Sequence, residues 1–514
     1  MSRLRTPSTE STPTGRTISP ERLHSYEAGA PLVERLAAAV AQASRRARGG
    51  VQRVEIPVGP VRPLAWLSAQ AEAASLLGDT ALYWHGRGDT DAVAALGVAD
   101  ELEGPVAAVL AALDVRAEAL RTRAPVSRYY GGLRFDAQAP ISEEWTSFGT
   151  ARFVLPRFEL TAGPRSATLA CHLVPGDDID TVFDAIAALR IPAWTRLPLP
   201  ARHHTLDRPT PNGRADAPGV EGWTDRIAEA LDGFEAGRFE KVVLARRATF
   251  SFDAPVRPLD LLERLEAATP NCYHFAFRFA DDAVGADAAT FIGASPERLF
   301  HRDGWRVESE AVAGTRPRGL LRGDDARLRD ELLGSEKDLR EHGYVRDALL
   351  DGLRPFTETL DIDAQASEMA LANKRHLRSG IRGLLHDGVA STDLLAALHP
   401  TPAVGGTPTD TALAFLRDTE PFDRGWYAGP VGWVGVDAAE FAVAIRSGLV
   451  QDDTLALYSG AGIVRGSDAD AEWAEIEHKL SDFLDVLGLG SGLGDGRASG
   501  DGQTDIRVPR LSLG

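Results

Sequence analysis

Ala439-Glu-Phe-Ala-Val-Ala-Ile-Arg446 reads as a strand with two unlike faces. Phe441, Val443 and Ile445 fall on one side and Glu440, Ala442, Ala444 and Arg446 on the other, following the two-residue period of a β-strand. Small side chains around one arginine leave room for a ligand carboxylate and supply a bidentate partner for it. The same pattern also fits an arginine on a half-exposed edge strand. A second β-like run, 454–458, comes a few residues later and leads into Ser459-Gly-Ala-Gly-Ile463. Upstream lie further strand-like runs at 239–245, 273–279, 290–293 and 305–312. Strands in neighbouring runs with Gly-rich turns point to mixed or antiparallel sheets, not to a regular βαβ winding.

Working outward, helical patterns cover 325–353 and 468–487, and Trp223, Ile227 and Leu231 share one face of a helix that opens the second half. The first half mixes alanine-rich segments read as helical, 32–47 and 92–115, with β-like runs at 81–85 and 166–174. A polar Pro/Gly-rich stretch, 206–219, divides the two halves. Residues 1–25 and 490–514 have the composition of disordered ends.

The 514 residues carry 56 basic and 74 acidic side chains, a net charge of −18. That balance argues against wholesale nucleic-acid binding, which needs a basic face. No apolar run approaches the length of a membrane span, and the N-terminus lacks the apolar core of a secretory signal. Cys171 and Cys272 are too few for a disulfide framework. A cytoplasmic location is the expectation. Only four of the basic residues are lysines: Lys241, Lys337, Lys374 and Lys479. Coding bias accounts for part of this. A lysine amine can nevertheless lose its proton where a guanidinium cannot, so each survivor is a candidate for work that arginine cannot do.

Asp338 and Glu341 sit three apart on one helix, and Glu472 and Glu475 on another, with Lys479 one turn further on. Paired carboxylates of this kind suit a hard cation such as Mg²⁺, although Glu475 and Lys479 are also an ordinary i, i+4 pair on a solvated face. Lys241 lies in Lys-Val-Val-Leu-Ala245, apolar enough to be a buried strand where desolvation favours a neutral amine. Glu297, held by Pro296 after another strand, is a complementary acid. Neither a Gly-x-Ser-x-Gly nor a P-loop signature occurs.

Eight motifs follow one another in a fixed order: Glu240-Lys-Val-Val-Leu-Ala-Arg246, Gly293-Ala-Ser-Pro-Glu-Arg-Leu299, Ala313-Gly-Thr-Arg-Pro-Arg-Gly319, Ser335-Glu-Lys-Asp-Leu-Arg-Glu-His342, His399-Pro-Thr-Pro-Ala-Val-Gly-Gly406, Glu420-Pro-Phe-Asp-Arg424, Glu440-Phe-Ala-Val-Ala-Ile-Arg446 and Ser459-Gly-Ala-Gly-Ile-Val464. Together they closely resemble the chorismate-utilising enzymes (the anthranilate synthase component I type), and within them the isochorismate synthases. Tyr130-Gly-Gly-Leu-Arg-Phe135 and Trp145-Thr-Ser-Phe-Gly149 resemble the family's N-terminal part. The resemblance implies one large α/β (α+β) unit with two packed, mostly antiparallel sheets, helices outside and the site between them. Residues 26–219 would form its N-terminal part, 220–489 its catalytic core, and 206–219 a loop.

Carried over residue by residue, the resemblance makes Lys241 the base that activates water and Glu297 the acid. It assigns Mg²⁺ to Glu341 and Glu475, with Asp338 and Glu472 nearby. Substrate contacts fall on Arg446, Lys479, Tyr427 and the backbone around Gly314, Gly460 and Gly462, with His376 and Thr315 at further active-site positions. Ala313 stands where aminodeoxychorismate synthases carry a nucleophilic lysine. Lys241 replaces the glutamine of anthranilate synthases. Ala403 replaces a threonine of anthranilate and salicylate synthases. Leu339-Arg340 departs from the Arg-His often found before Glu341-His342. These positions imply water addition at C2 of chorismate without loss of pyruvate. No glutamine amidotransferase partner is expected, and the oligomeric state is left open between monomer and homodimer. Salicylate synthase and a catalytically idle binding homologue are the competing readings.

Overall fold

The computed structural model describes residues 31–489 apart from 46–48, 60, 71–79, 89, 164–165, 191–208, 281–287, 320–321 and 371–373. The expectations for residues 1–25 and 490–514 lie outside the described residues. Among those described, twenty strands join in one hydrogen-bonded network, and every pairing in it is antiparallel.

The network forks at the strand Ala151–Ala162. One edge pairs along its whole length with Ala92–Glu103. The other is shared between Tyr129–Leu133 and Ala167–Leu173. Two layers grow from this fork. The first runs through Ala81–His85, Tyr273–Arg278, Thr290–Ser295, Ser447–Gln451 and Thr454–Ile463 to Lys241–Phe252. The second runs through Pro430–Gly435, Ala438–Val443, Arg298–Asp303 and Arg306–Pro317 to Lys374–Leu385. A core containing Trp84, Phe275 and Phe291 from the first layer and Phe300, Val431 and Phe441 from the second fills the space between them. The outer face of the first layer is closed by a second core under helices that include Leu32–Ser44 and Pro258–Ala268.

Two of the places where the chain crosses between layers are adjacent. Pro296 and Glu297 connect Thr290–Ser295 to Arg298–Asp303, and residues 444–446 connect Ala438–Val443 to Ser447–Gln451. The crossovers are tied together. Val443 N–H donates to the Glu297 carbonyl (3.1 Å), and Ala294 N–H to that of Arg446 (3.0 Å).

This corrects the reading of 439–446 as one strand. The ladder ends at Val443, and Arg446 takes a left-handed backbone with φ 51°. Ile445 therefore reaches the same pocket as Arg446 instead of the opposite face. Residues 92–103 are a strand, not the start of a helix; the helix is Val106–Leu120. Residues 211–217 are a strand paired with Lys241–Phe252, not a loop. Each long C-terminal helix is two. Arg322–Gly334 and Glu336–Leu353 part at Ser335, whose hydroxyl caps the second by accepting from Asp338 N–H, and Ala469–Lys479 is followed by Ser481–Leu487.

Candidate active site

Lys241 begins its strand and is fully buried. Its Nζ donates to Glu341 Oε1 at 2.9 Å. The facing strand, Thr454–Ile463, contains Ser459-Gly-Ala-Gly, so these residues belong to the ladder and do not form a turn after it. Gly462 gives these side chains clearance there, because a Cβ would lie 2.5 Å from Glu341 Oε1 and 3.0 Å from Lys241 Cε. Gly460 faces the Tyr427 hydroxyl in the same way.

Glu297, in the crossover, is 5% exposed. Its N–H donates to Ser295 Oγ at 3.2 Å. Burial first, and the Glu310 carboxylate second, push its carboxyl up to about 8 against the pull of Lys241 and Lys479. Glu310 itself stays below the usual carboxylate range. Burial opposes this, but the Arg87 and Arg378 guanidinium groups outweigh it. Glu297 is therefore a neutral acid at pH 7 beside an ionised neighbour, the environment that keeps a carboxyl able to donate.

Two helices aim carboxylates into the same pocket. Glu336–Leu353, packed on the second layer, supplies Asp338 and Glu341; Ala469–Lys479, packed behind the first, supplies Glu472 and Glu475. Each carboxylate meets a cation: Glu341 meets Lys241, Glu475 meets Lys479 at 2.7 Å, Glu472 meets Lys337 at 3.1 Å and Asp338 meets Arg316 at 2.6 Å. Burial, then Glu475, raises the Glu472 carboxyl. Burial works to raise the Glu475 carboxyl, but Lys479, joined by Lys337 and Arg446, holds it low. Gly314, at φ 70°, lets its strand approach Asp338, whose Cβ would stand 3.1 Å from an added Cβ. Four carboxylates with oxygen donors only, beside the space kept open by Gly462, fit Mg²⁺.

At the opposite wall, Arg446 is 8% exposed and donates to the Lys479 carbonyl at 2.6 Å. Lys479 Nζ donates to the Gly460 carbonyl at 2.7 Å. His376 donates through Nδ1 to the Gly314 carbonyl (3.1 Å), and burial, then Arg446, holds it down to about 3, so the ring is neutral. Burial pushes the Tyr427 hydroxyl up to about 12. Ala313 and Ala403 line the same pocket. The side chain of Thr315 lies outside the described residues; its backbone pairs with His376.

Sequence reasoning did not assign Arg316 or Lys337, which balance Asp338 and Glu472. The scarcity of lysine marks Lys337 as a candidate but gives it no partner. Three of the four lysines line this pocket, and the fourth, Lys374, lies behind Arg446 on Asp482 (2.8 Å), held down to about 8 by burial and Arg446.

The geometry has parallels among known proteins. The family model for chorismate binding enzyme matches residues 19–488. The salicylate biosynthesis isochorismate synthase of Pseudomonas aeruginosa is 38% identical over 371 residues, covering 71% of this chain and 75% of the relative. The isochorismate synthase MenF of Haemophilus influenzae is 31% identical over 440 residues, covering 85% and 91%. The solved structure of MenF, the menaquinone-specific isochorismate synthase from Escherichia coli, superposes with a TM-score of 0.73 at 29% identity, over 88% of this chain and 99% of that one. Anthranilate synthase component I of Streptococcus pneumoniae, at 18% identity and a TM-score of 0.59, shares the fold. Matched by the family model over residues 19–488 and by relatives 38% and 31% identical across most of their length, the chain belongs to the family of chorismate-binding enzymes.

Proposed function

We propose that this chain is an Mg²⁺-dependent isochorismate synthase. The observation that carries the reading is the pairing, across one pocket, of a buried lysine with a carboxyl kept protonated up to about pH 8. In the proposed reaction the Lys241 amine takes a proton from the water that attacks C2 of chorismate. The ring double bonds shift, and the C4 hydroxyl leaves as water with the proton of Glu297, so one water enters and one departs. Arg446 and Lys479 suit the substrate carboxylates by charge. Glu341 and Glu475 would hold the metal, with Asp338 and Glu472 beside them. When bound, Mg²⁺ supplies a positive charge against the substrate carboxylate. Glu341 accepts from Lys241 Nζ, so the same carboxylate that would hold the metal also positions the amine.

Ala313 carries no amine for a covalent adduct and Ala403 no hydroxyl, which supports water over the alternatives as the nucleophile. The test is chromatography of the products formed from chorismate with and without Mg²⁺. Isochorismate without pyruvate is expected, and only with the metal. Salicylate plus pyruvate would establish the salicylate synthase reading instead, and absence of turnover would leave a binding homologue.

A further inference from the structure

A second constellation lies on the outer face of the first layer, away from the pocket. His85 ends the strand Ala81–His85 and stands directly opposite His274 in the neighbouring strand Tyr273–Arg278, so both side chains leave the sheet on one face. The helix Pro258–Ala268 covers that face and brings Glu266 to it. One ligating atom from each of His85, Glu266 and His274 lies within 4.8 Å of the other two. Glu266 Oε1 already accepts from the Tyr83 hydroxyl at 2.9 Å and contacts His85 Nδ1.

The hydrogen bonds around His274 fix its tautomer. The Thr269 hydroxyl has one proton, which it donates to the Leu265 carbonyl at 2.6 Å. Its oxygen must then accept from His274 Nε2 at 2.9 Å. The proton of the ring is therefore on Nε2, and Nδ1 is left as a bare lone pair. This residue is 2% exposed, and Nδ1 has no hydrogen-bond partner among the described residues. A buried imidazole that donates from one nitrogen to an oxygen and keeps the other unprotonated is arranged as metal-ligating histidines are.

We propose that His85, Glu266 and His274 form a binding site for a transition-metal dication of the Zn²⁺ class. Two imidazoles and one carboxylate are a recurrent Zn²⁺ ligand set, with a fourth position left for water. Nitrogen donors distinguish this site from the oxygen-only carboxylates of the pocket, which favour Mg²⁺. The cation would staple two strands to a helix. It would also brace the active site from behind: two residues beyond His85, Arg87 donates to the Pro296 carbonyl at 2.7 Å and to Glu310 at 2.8 Å, and so holds the crossover that carries Glu297.

The experiment uses the full chain with Mg²⁺ in excess, so that the oxygen-only carboxylates are occupied. Titration with Zn²⁺ by calorimetry, and with Co²⁺ by visible absorption, should show one saturable equivalent with the ligand-field bands of nitrogen coordination, Co²⁺ being displaced by Zn²⁺. His274→Ala and Glu266→Gln, each checked for folding by circular dichroism, should weaken binding by at least about 100-fold, beyond the ~10–100-fold typical of losing an outer-shell partner. X-ray absorption on the Zn²⁺-loaded wild type should count two imidazoles, and this reading stands even where a variant fails to fold. Absence of saturable binding, binding that survives both substitutions, or fewer than two imidazole ligands would each reduce the cluster to a hydrogen-bonded triad and overturn the proposal. None of these outcomes bears on isochorismate formation at the other site.

Discussion

At the scale of single residues, the candidate chemistry rests on Lys241 and Glu297, and each makes a separable prediction. Lys241→Arg keeps the positive charge, and with it a partner for Glu341, but a guanidinium does not surrender its proton at accessible pH. Turnover should fall by at least the ~10²–10⁴-fold that general-base catalysis contributes, with folding and Mg²⁺ affinity little changed. Rates of isochorismate formation across pH 6–10 are the measurement, and retention of more than about a tenth of the activity would make the lysine electrostatic only. Glu297 must be protonated to act as acid. Its carboxyl stands at about 8, so activity should hold below that pH and decline as pH rises through it. Glu297→Gln should remove this alkaline limb along with most of the rate. Stability follows the same sign as activity. A carboxyl raised in the folded state binds its proton more tightly than in the unfolded chain, so its contribution is fully present below the unfolded value and is lost as pH rises through about 8. The amide has no charge to bury, and Glu297→Gln should melt higher than wild type above pH 8.

At the scale of elements, the pocket depends on how closely two helices approach two strands. Glu341→Gln and Glu475→Gln each remove one carboxylate from one helix. Either should abolish turnover with the fold intact, since Mg²⁺ gives up its hydration shell reluctantly and needs the charge. Near-normal activity of either variant at low Mg²⁺ would remove that residue from the ligand set. Gly462→Ala tests clearance instead. Its methyl group would meet Glu341 Oε1 and Lys241 Cε, both on flexible side chains that can shift, so thermal stability should change little. Displacing the proposed base and a proposed metal carboxylate by about 1 Å should still cost on the order of 10²-fold in kcat. Wild-type kcat for Gly462→Ala would show that the spacing tolerates more than the geometry allows. Elements are also where sequence reading failed. Residues 92–103 are rich in alanine, a good helix former, yet they form a strand because one edge pairs along the whole length and the other over 92–96, where the residues are buried. Tertiary context overrode propensity.

At the scale of the whole molecule, one ladder serves two layers, so they should not melt separately. Phe148, fully buried, touches Trp145, Phe279, Phe291 and Trp426. Phe148→Ala should cost ~3–5 kcal/mol and lower the melting temperature in a single calorimetric transition. Two resolved transitions would show that the layers unfold independently. Trp426 stands next to Tyr427 in the pocket wall, so the same loss of packing should also raise KM for chorismate.

The candidate reactive groups were legible from the sequence, because chemistry follows side-chain type: a scarce lysine in an apolar run, a glutamate after a proline, carboxylates three apart on two helical patterns, and eight motifs in a family's order. The antiparallel character of the sheets was legible too, from two-residue alternation and closely spaced turns. What periodicity cannot carry is the meeting of segments distant in the chain. Only the folded molecule places Glu297 and Arg446 in adjacent crossovers between layers, with Arg446 turned by a left-handed backbone that ends the strand it was read into. The roles of Gly460 and Gly462 as clearance, and the four pairings of carboxylate with cation, also appear only there. Each depends on a distance across the sheet, and such distances are set by packing and hydrogen-bond register, which no local stretch of sequence contains.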